Sequence, residues 1–417
     1  MTASPRPADP RDRRDGLGWV TRAVFPDRRV RLDISTGGRV SVPGRVMARY
    51  AVVPSVDRAR FLLPLGRRRV TAASVLAYNA LRPPRVRAAR AVLGVAARAG
   101  LVEWAPFPVL TVSVPKDADP AELVLTAYLS AKLGRPLSGA FGVRPPDPNH
   151  KPTLQLFDPD GRPAGYAKIG WNEATRALVR TEAAALRALP RESVPGYPLV
   201  PRVLLHEEWG ERTLTVVEPL PAGVRGVDPA APPRVAELAA VARRGGGPTP
   251  PRPLADSPFL LRLRAEAERA TAAVGPRAVE AVDRFVKRHG ATLVEFGDWH
   301  GDWVPWNLGT YGDRLVVWDW EHSGPDRPVG MDLAHQGFQC ALIVEGRPLR
   351  AAVRAAEALV QRYGAGLGLD PQRGRLVVDA YLLEMWLRTW RLAEGGAGWN
   401  PTLHPGLLDV IDARLNF

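Results

Sequence analysis

His300, Asp302, Asn307, Asp319 and Glu321 stand close together in the strings HGDWVPWN (300–307) and WDWEH (318–322). Between them, NLGTYGDRLVVWD reads as strand, turn at Tyr311-Gly312-Asp313, strand. A hairpin of that kind brings its two ends side by side, so Asn307 and Asp319 become neighbours. An amide oxygen and a carboxylate are suitable hard-oxygen ligands for Mg2+, which keeps waters and shares phosphate oxygens. Asp302 lies on the same loop and needs no bond to the metal. A metal that neutralises phosphates, beside a separate carboxylate that takes a hydroxyl proton, is an apparatus for phosphoryl transfer.

H-G-D-x-x-x-x-N followed by D-x-E resembles the aminoglycoside phosphotransferase and choline kinase-like family, a branch of the protein-kinase-like fold. The resemblance covers about residues 136–400. It implies an ATP-dependent phosphotransferase with a small lobe, a hinge and a helical large lobe. By that likeness Asp302 is the catalytic base, His300 organises the loop, Asn307 and Asp319 hold Mg2+, and Glu321 assists a second metal. Trp303, Trp306 and Trp320 then wall the loop and exclude water. Asp332, in GMDLAH, is expected to cap the next helix.

The elements upstream must supply the rest. A kinase-like small lobe needs a Lys on its third strand to hold phosphates, and a Glu on the next helix to fix that Lys. Lys168 stands in the strand candidate AGYAKIG. In the following helix, Leu178, Glu182, Ala185 and Leu189 fall at steps of four, three and four, which sets Glu182 in an apolar stripe. A carboxylate there is costly unless paired, and Lys168 is the natural partner. The string VVEPLP (216–221) fits the hinge, where backbone groups around Glu218 and Leu220 would read the adenine edge. The segment GAFGVRPPDPNHKP departs from a Gly-rich phosphate loop: Gly139 and Gly142 fall in a strand, and Lys151 or the Asn149 amide is the phosphate contact available.

These elements belong to an α+β chain. The expectation is a protein-kinase-like two-lobed fold, with a small antiparallel β lobe carrying one helix and a larger, mainly helical lobe, plus an N-terminal basic α/β extension. The boundaries follow composition: a disordered N-terminus at 1–16, a basic accessory region at 17–135, a nucleotide-binding lobe at 136–220, and a helical catalytic and acceptor-binding lobe at 221–417. Residues 221–256, with RRGGGPTPPRP, read as a long Gly/Pro-rich connection.

The formal charge of +14 is concentrated in one block. Residues 1–100 hold 21 Arg against 6 Asp, while the remainder holds 36 basic and 37 acidic residues. The basic block is therefore expected to dock an anionic surface: nucleic acid, acidic lipid or an acidic partner. A single cysteine, Cys340, excludes an internal disulfide and is read as a buried hydrophobe in a reducing compartment. No secretory h-region and no run of apolar residues long enough for a membrane span are visible, so the chain reads as cytoplasmic. His206, His289, His322, His335 and His404 show no metal-ligand spacing and are read as surface or core residues.

The functional expectation is transfer of the ATP γ-phosphate, with Mg2+, to a hydroxyl of a sugar, amino sugar, nucleoside or similar metabolite. Residues 221–417 carry 23 basic and 23 acidic residues, which gives no overall acidic bias for a polycationic aminoglycoside, although that acceptor stays open. The alternative is a catalytically lapsed nucleotide-binding scaffold whose basic N-terminal region binds nucleic acid or an anionic surface.

Overall fold

The computed structural model describes residues 9–36, 42–77, 81, 84–144, 150–190, 194–270, 274–397, 403 and 406–416. The architecture is α+β, and the chain divides into two compact units. One is Met1–Val179 with Arg202–Leu220; the other is Arg180–Pro201 with Pro221–Phe417.

The first unit is built on one nine-stranded sheet. Its strands are β1 (Arg31–Ser35), β2 (Arg45–Val53), β3 (Phe61–Pro64), β4 (Val109–Val114), β5 (Ser138–Gly142), β6 (Thr153–Phe157), β7 (Pro163–Gly170), β8 (Val203–Trp209) and β9 (Arg212–Val217). They run in the order β1-β4-β2-β3-β5-β6-β7-β9-β8, every pairing antiparallel. Helices α1 (Gly16–Val24), α2 (Arg68–Leu76), α3 (Pro84–Ala99), α4 (Pro120–Leu123) and α5 (Leu125–Lys132) belong to this unit. Helix α6 (Glu173–Ala188) starts in it. Asn172 caps α6, its Oδ1 accepting the Thr175 N–H at 2.8 Å. The turn between β6 and β7 uses Gly161 at φ +83°.

A boundary at 135 is not where the structure divides. β3 pairs with β5 through Phe61↔Gly142 and Leu62↔Phe141. One apolar core runs from Leu17, Val20 and Phe25, through Val112 of β4, to Leu154, Ile169 and Val216. The physical reason is the exposed edge: without β3, β5 would present a row of unpaired N–H and C=O groups. The basic N-terminal region is therefore half of one sheet. Expected disorder over 1–16 also gives way from Asp9 onward. Arg11 is 4% exposed, pairs with Asp9, and donates to the carbonyls of Phe25, Asp27 and Val30. A buried guanidinium holds this segment, which composition alone marked as polar.

The second unit holds the latter half of α6 and helices α7 (Val235–Ala242), α8 (Pro258–Arg269), α9 (Gly275–His289), α10 (Met331–Gln339), α11 (Leu349–Tyr363), α12 (Pro371–Leu392) and α13 (Gly406–Leu415). Helix α12 is buried along most of its length, including Leu376, Trp386 and Trp390. Seven short strands serve as connectors: β10 (Arg225–Gly226), β11 (Arg252–Pro253), β12 (Leu293–Val294), β13 (Phe296–Trp299), β14 (Leu308–Tyr311), β15 (Arg314–Val317) and β16 (Gly324–Pro328). β14 and β15 form a hairpin that pairs Leu308 with Val317 and Tyr311 with Arg314, and β13 pairs with β16. The 221–256 connection is not wholly irregular, since it contains α7. Among the described residues no helix is long and apolar enough to cross a membrane.

A chain starting at Pro115 should fail to fold cooperatively, because it loses the partner of β5 and the α1 side of the core. Circular dichroism melts and solubility would check this. A sharp, reversible transition for the shortened chain would show that the sheet tolerates the new edge.

Candidate active site

β13 ends at Trp299 and delivers a loop whose backbone is held from a distance. The Asp332 carboxylate accepts the N–H of His300 at 2.7 Å and of Gly301 at 2.9 Å. Asp332 lies in the first turn of α10, while the cap position belongs to Gly330 at φ +107°, with no side-chain cap bond. The expected capping role is therefore replaced by a clamp on the loop. Burial pushes the Asp332 carboxyl up to about 7, against the pull of the two N–H donors. Gly301 has φ +78°, and a Cβ there would lie 2.2 Å from the His322 carbonyl oxygen, so only glycine fits. The Gly301 carbonyl accepts Arg388 Nη1 of α12 at 2.6 Å.

His300 is fully buried, and burial pulls its pKa down to about 4. The neutral ring with its proton on Nε2 fits both bonds it makes. Nε2 donates to the Trp318 carbonyl at 3.1 Å, and Nδ1 accepts the Asp302 N–H at 3.2 Å. The ring sits edge-on between Trp303 and Trp320, with centroids 6.0 and 4.6 Å away. Those two indoles are buried, as a wall requires, but Trp306 is 44% exposed and walls nothing.

Asp302 is held on both oxygens. Oδ1 accepts His335 Nε2 at 3.0 Å, and Oδ2 accepts Asn307 Nδ2 at 2.7 Å. Burial alone would raise its pKa; the hydrogen bond and charge of His335, with the fields of His322 and Arg388, hold it well below the usual carboxylate range. Burial lowers the His335 pKa, against the pull of the Asp302 carboxylate. Its Nδ1 is buried without a hydrogen-bond partner.

The hairpin sets Asn307 against Trp318, whose N–H reaches the Asn307 carbonyl at 3.2 Å, and Asp319 follows directly. Asp319 has φ +72°, one of three non-glycine residues with positive φ among those described. Strain of this kind persists only where the surroundings over-determine it. One carboxylate oxygen each of Glu182, Asp319 and Glu321 lie within 4.8 Å of one another. With its amide nitrogen bonded to Asp302, Asn307 has Oδ1 left for another partner. The donor set is hard oxygen throughout and fits Mg2+.

The remaining expected residues lie in the first unit. Lys168 is buried on β7, between Thr153 of β6 and Thr215 of β9 in register. Glu218 follows β9; its N–H bonds the Arg202 carbonyl at 2.8 Å and its carboxylate pairs with Arg202, so that N–H is already taken. Leu220 ends the first unit, and Lys151 stands just before β6. Asn149 and His404 lie outside the described residues. Cys340 is half-buried, less enclosed than expected. His206 bonds Thr215, and His289 pairs with Asp379 at 2.9 Å.

Sequence reading missed His335 and Arg388, and gave Glu182 no place near Asp319. The signal for His335 was its place three residues after Asp332 on α10, which puts both on one helix face.

No protein-family model and no curated protein matches this chain. Solved structures do. An aminoglycoside phosphotransferase in ternary complex with ADP and hygromycin B is 13% identical, over 70% of this chain and 98% of its own, with a TM-score of 0.45. A choline kinase from Streptococcus pneumoniae is 14% identical, over 63% of this chain and 89% of its own, at 0.43. A type I macrolide 2'-phosphotransferase is 16% identical, over 70% and 95%, at 0.39. They stand in the group that the HGD motif resembles. At these scores the likeness adds no weight of its own to the functional reading, which stands on this chain's residues.

Asp332→Ala should orphan two buried N–H groups and lower stability by about 2–5 kcal/mol. Guanidinium unfolding would measure this. A midpoint like that of the unaltered chain would mean that the loop finds other acceptors.

Proposed function

We propose that the chain transfers the γ-phosphoryl group of ATP to a hydroxyl of a small molecule. The observation that carries this reading is Asp302. Its carboxylate is partly exposed and fixed by one donor per oxygen, His335 and Asn307, on a loop clamped by Asp332. In the reaction, the acceptor oxygen attacks the γ-phosphorus, the bond to the ADP oxygen breaks, and the acceptor proton passes to Asp302. A carboxylate of such low proton affinity takes that proton only as the new O–P bond forms and the hydroxyl becomes strongly acidic. Orientation therefore matters more than basicity.

Asn307 and Asp319, with Glu321, are the residues that would hold Mg2+, and Glu182 is close enough to join them. When bound, the ion would neutralise phosphate charge. His300 keeps the loop in shape. Lys168, with Lys151 as a lesser contact, is assigned to the phosphates, and the backbone at 218–220 to the base. The acceptor is taken to be a sugar, amino sugar, nucleoside or similar metabolite, since the balanced charge of 221–417 offers a polycation no general advantage.

A mass-shift screen of a metabolite extract with ATP and Mg2+ would identify the acceptor. Asp302→Ala should then lower turnover by roughly 10²–10⁴-fold with nucleotide binding retained. Turnover within a few-fold of the unaltered protein would remove Asp302 from the chemistry.

Lys168 and Glu182 are proposed to act as one unit. Lys168→Met and Glu182→Ala should each slow transfer, and the double variant should cost much less than the sum. Additive losses, with Glu182→Ala alone raising the Mg2+ requirement, would instead assign Glu182 to the cation.

A further inference from the structure

Helix α3 is apolar on two sides. Its inner side packs as expected: Ala97, with Val102 just beyond the helix, joins Ala72 and Val75 of α2, Ala51 of β2 and Leu63 of β3 in a small core. Its outer side is also apolar. Ala88, Val92, Val95 and Ala99 recur at steps of four, three and four, so they form one line along the helix, and all are exposed. Val92 and Val95 are 72% and 71% exposed, and just after the helix Leu101 and Trp104 are 59% and 83% exposed. A solvated helix would place polar residues there.

Arginines border this line. On a helical projection, Arg85 falls on one side of it and Arg87 and Arg98 on the other, all exposed. Arg68 lies beside Gly100 at the helix C-terminus. Residues 58–102 contain ten Arg and no Asp or Glu. This stretch is the centre of the charge excess that the proposed phosphotransfer does not use.

We infer that the outer face of α3, with Leu101 and Trp104, docks the chain onto an anionic membrane surface. A helix lying in the lipid interface needs a shallow apolar face, cationic rims whose stems can reach along it, and an aromatic residue at the headgroup level. All three are present. A second copy of the chain would bring two like-charged surfaces together. Nucleic acid would meet the arginines but give the valine line nothing to bury against. A protein groove takes a helix by large anchors spaced along one face, and here the helix itself offers only Ala and Val. The helix carries arginines along its length and does not span the bilayer.

The test is co-sedimentation of the full chain with phosphatidylcholine vesicles and with vesicles that also contain phosphatidylglycerol. Binding should require the anionic lipid and weaken steeply with added NaCl. Val92→Ser with Val95→Ser should leave the melting temperature unchanged and weaken vesicle binding by roughly ten-fold or more, because two exposed apolar side chains are lost from the contact. Arg85→Gln with Arg98→Gln should weaken it while leaving any residual binding less salt-sensitive. Equal binding to neutral vesicles, or no binding to either kind, would overturn the inference. So would undiminished binding by the serine variant. Retention on polyglutamate as strong as on anionic vesicles, and unaffected by the serine changes, would assign the face to an acidic protein instead.

Discussion

Two backbone N–H groups, at His300 and Gly301, are buried where no helix or sheet can use them, and one carboxylate satisfies both. Without Asp332 the loop would have to open to water or leave two donors unpaired, each a substantial cost. With it, the loop is pinned to the first turn of α10. Gly301 can then take its positive φ against the His322 carbonyl, and Arg388 closes the far side. Everything proposed for the site hangs from this clamp. Because α10 carries both Asp332 and His335, the element that fixes the backbone also fixes the Asp302 side chain.

The pieces of this arrangement that were legible in the sequence are the local ones. Asn307 and Asp319 come together because a hairpin with a tight turn at Gly312, φ +62°, joins them, and both spacing and turn residues are visible in the string. Lys168 on a strand and Glu182 on the following helix are equally local readings. The distant partners of this loop are not. His335 is 33 positions away, and Arg388, which grips the neighbouring Gly301, is 87 positions from that glycine. Each reaches the loop only because a helix packs back on it, and a single histidine or arginine in a helix carries no mark of that destination.

The first unit shows the converse case, where a strong signal misled. Arginine density separates residues 1–100 from the rest, and a charge boundary looks like a domain boundary. Charge resides on surfaces, however, and sheets are decided by edges and cores. β1 and β2 carry Arg31 and Arg45 on exposed positions, while Leu32, Tyr50, Val52 and, in β3, Leu62 point inward to the core shared with β6, β7 and β9. The apolar alternation was present beneath the arginines. The open edge of β5, which only β3 can cover, ties the halves together.

The same separation of surface from core explains why a strongly basic region need not serve the chemistry. In the second unit the proposed reaction has Asp302 committed to two donors, one per oxygen, before any acceptor arrives. Each carboxylate oxygen has two lone pairs, so one remains on each for a hydroxyl. That is a constraint on direction: the acceptor must approach along what His335 and Asn307 leave open. Adding basic residues around such a carboxylate would depress its proton affinity further without improving the angle. A site that works by orientation gains nothing from the arginines of α2 and α3. Those of α3 flank an exposed apolar line, which is why docking is inferred there as a task apart from the chemistry.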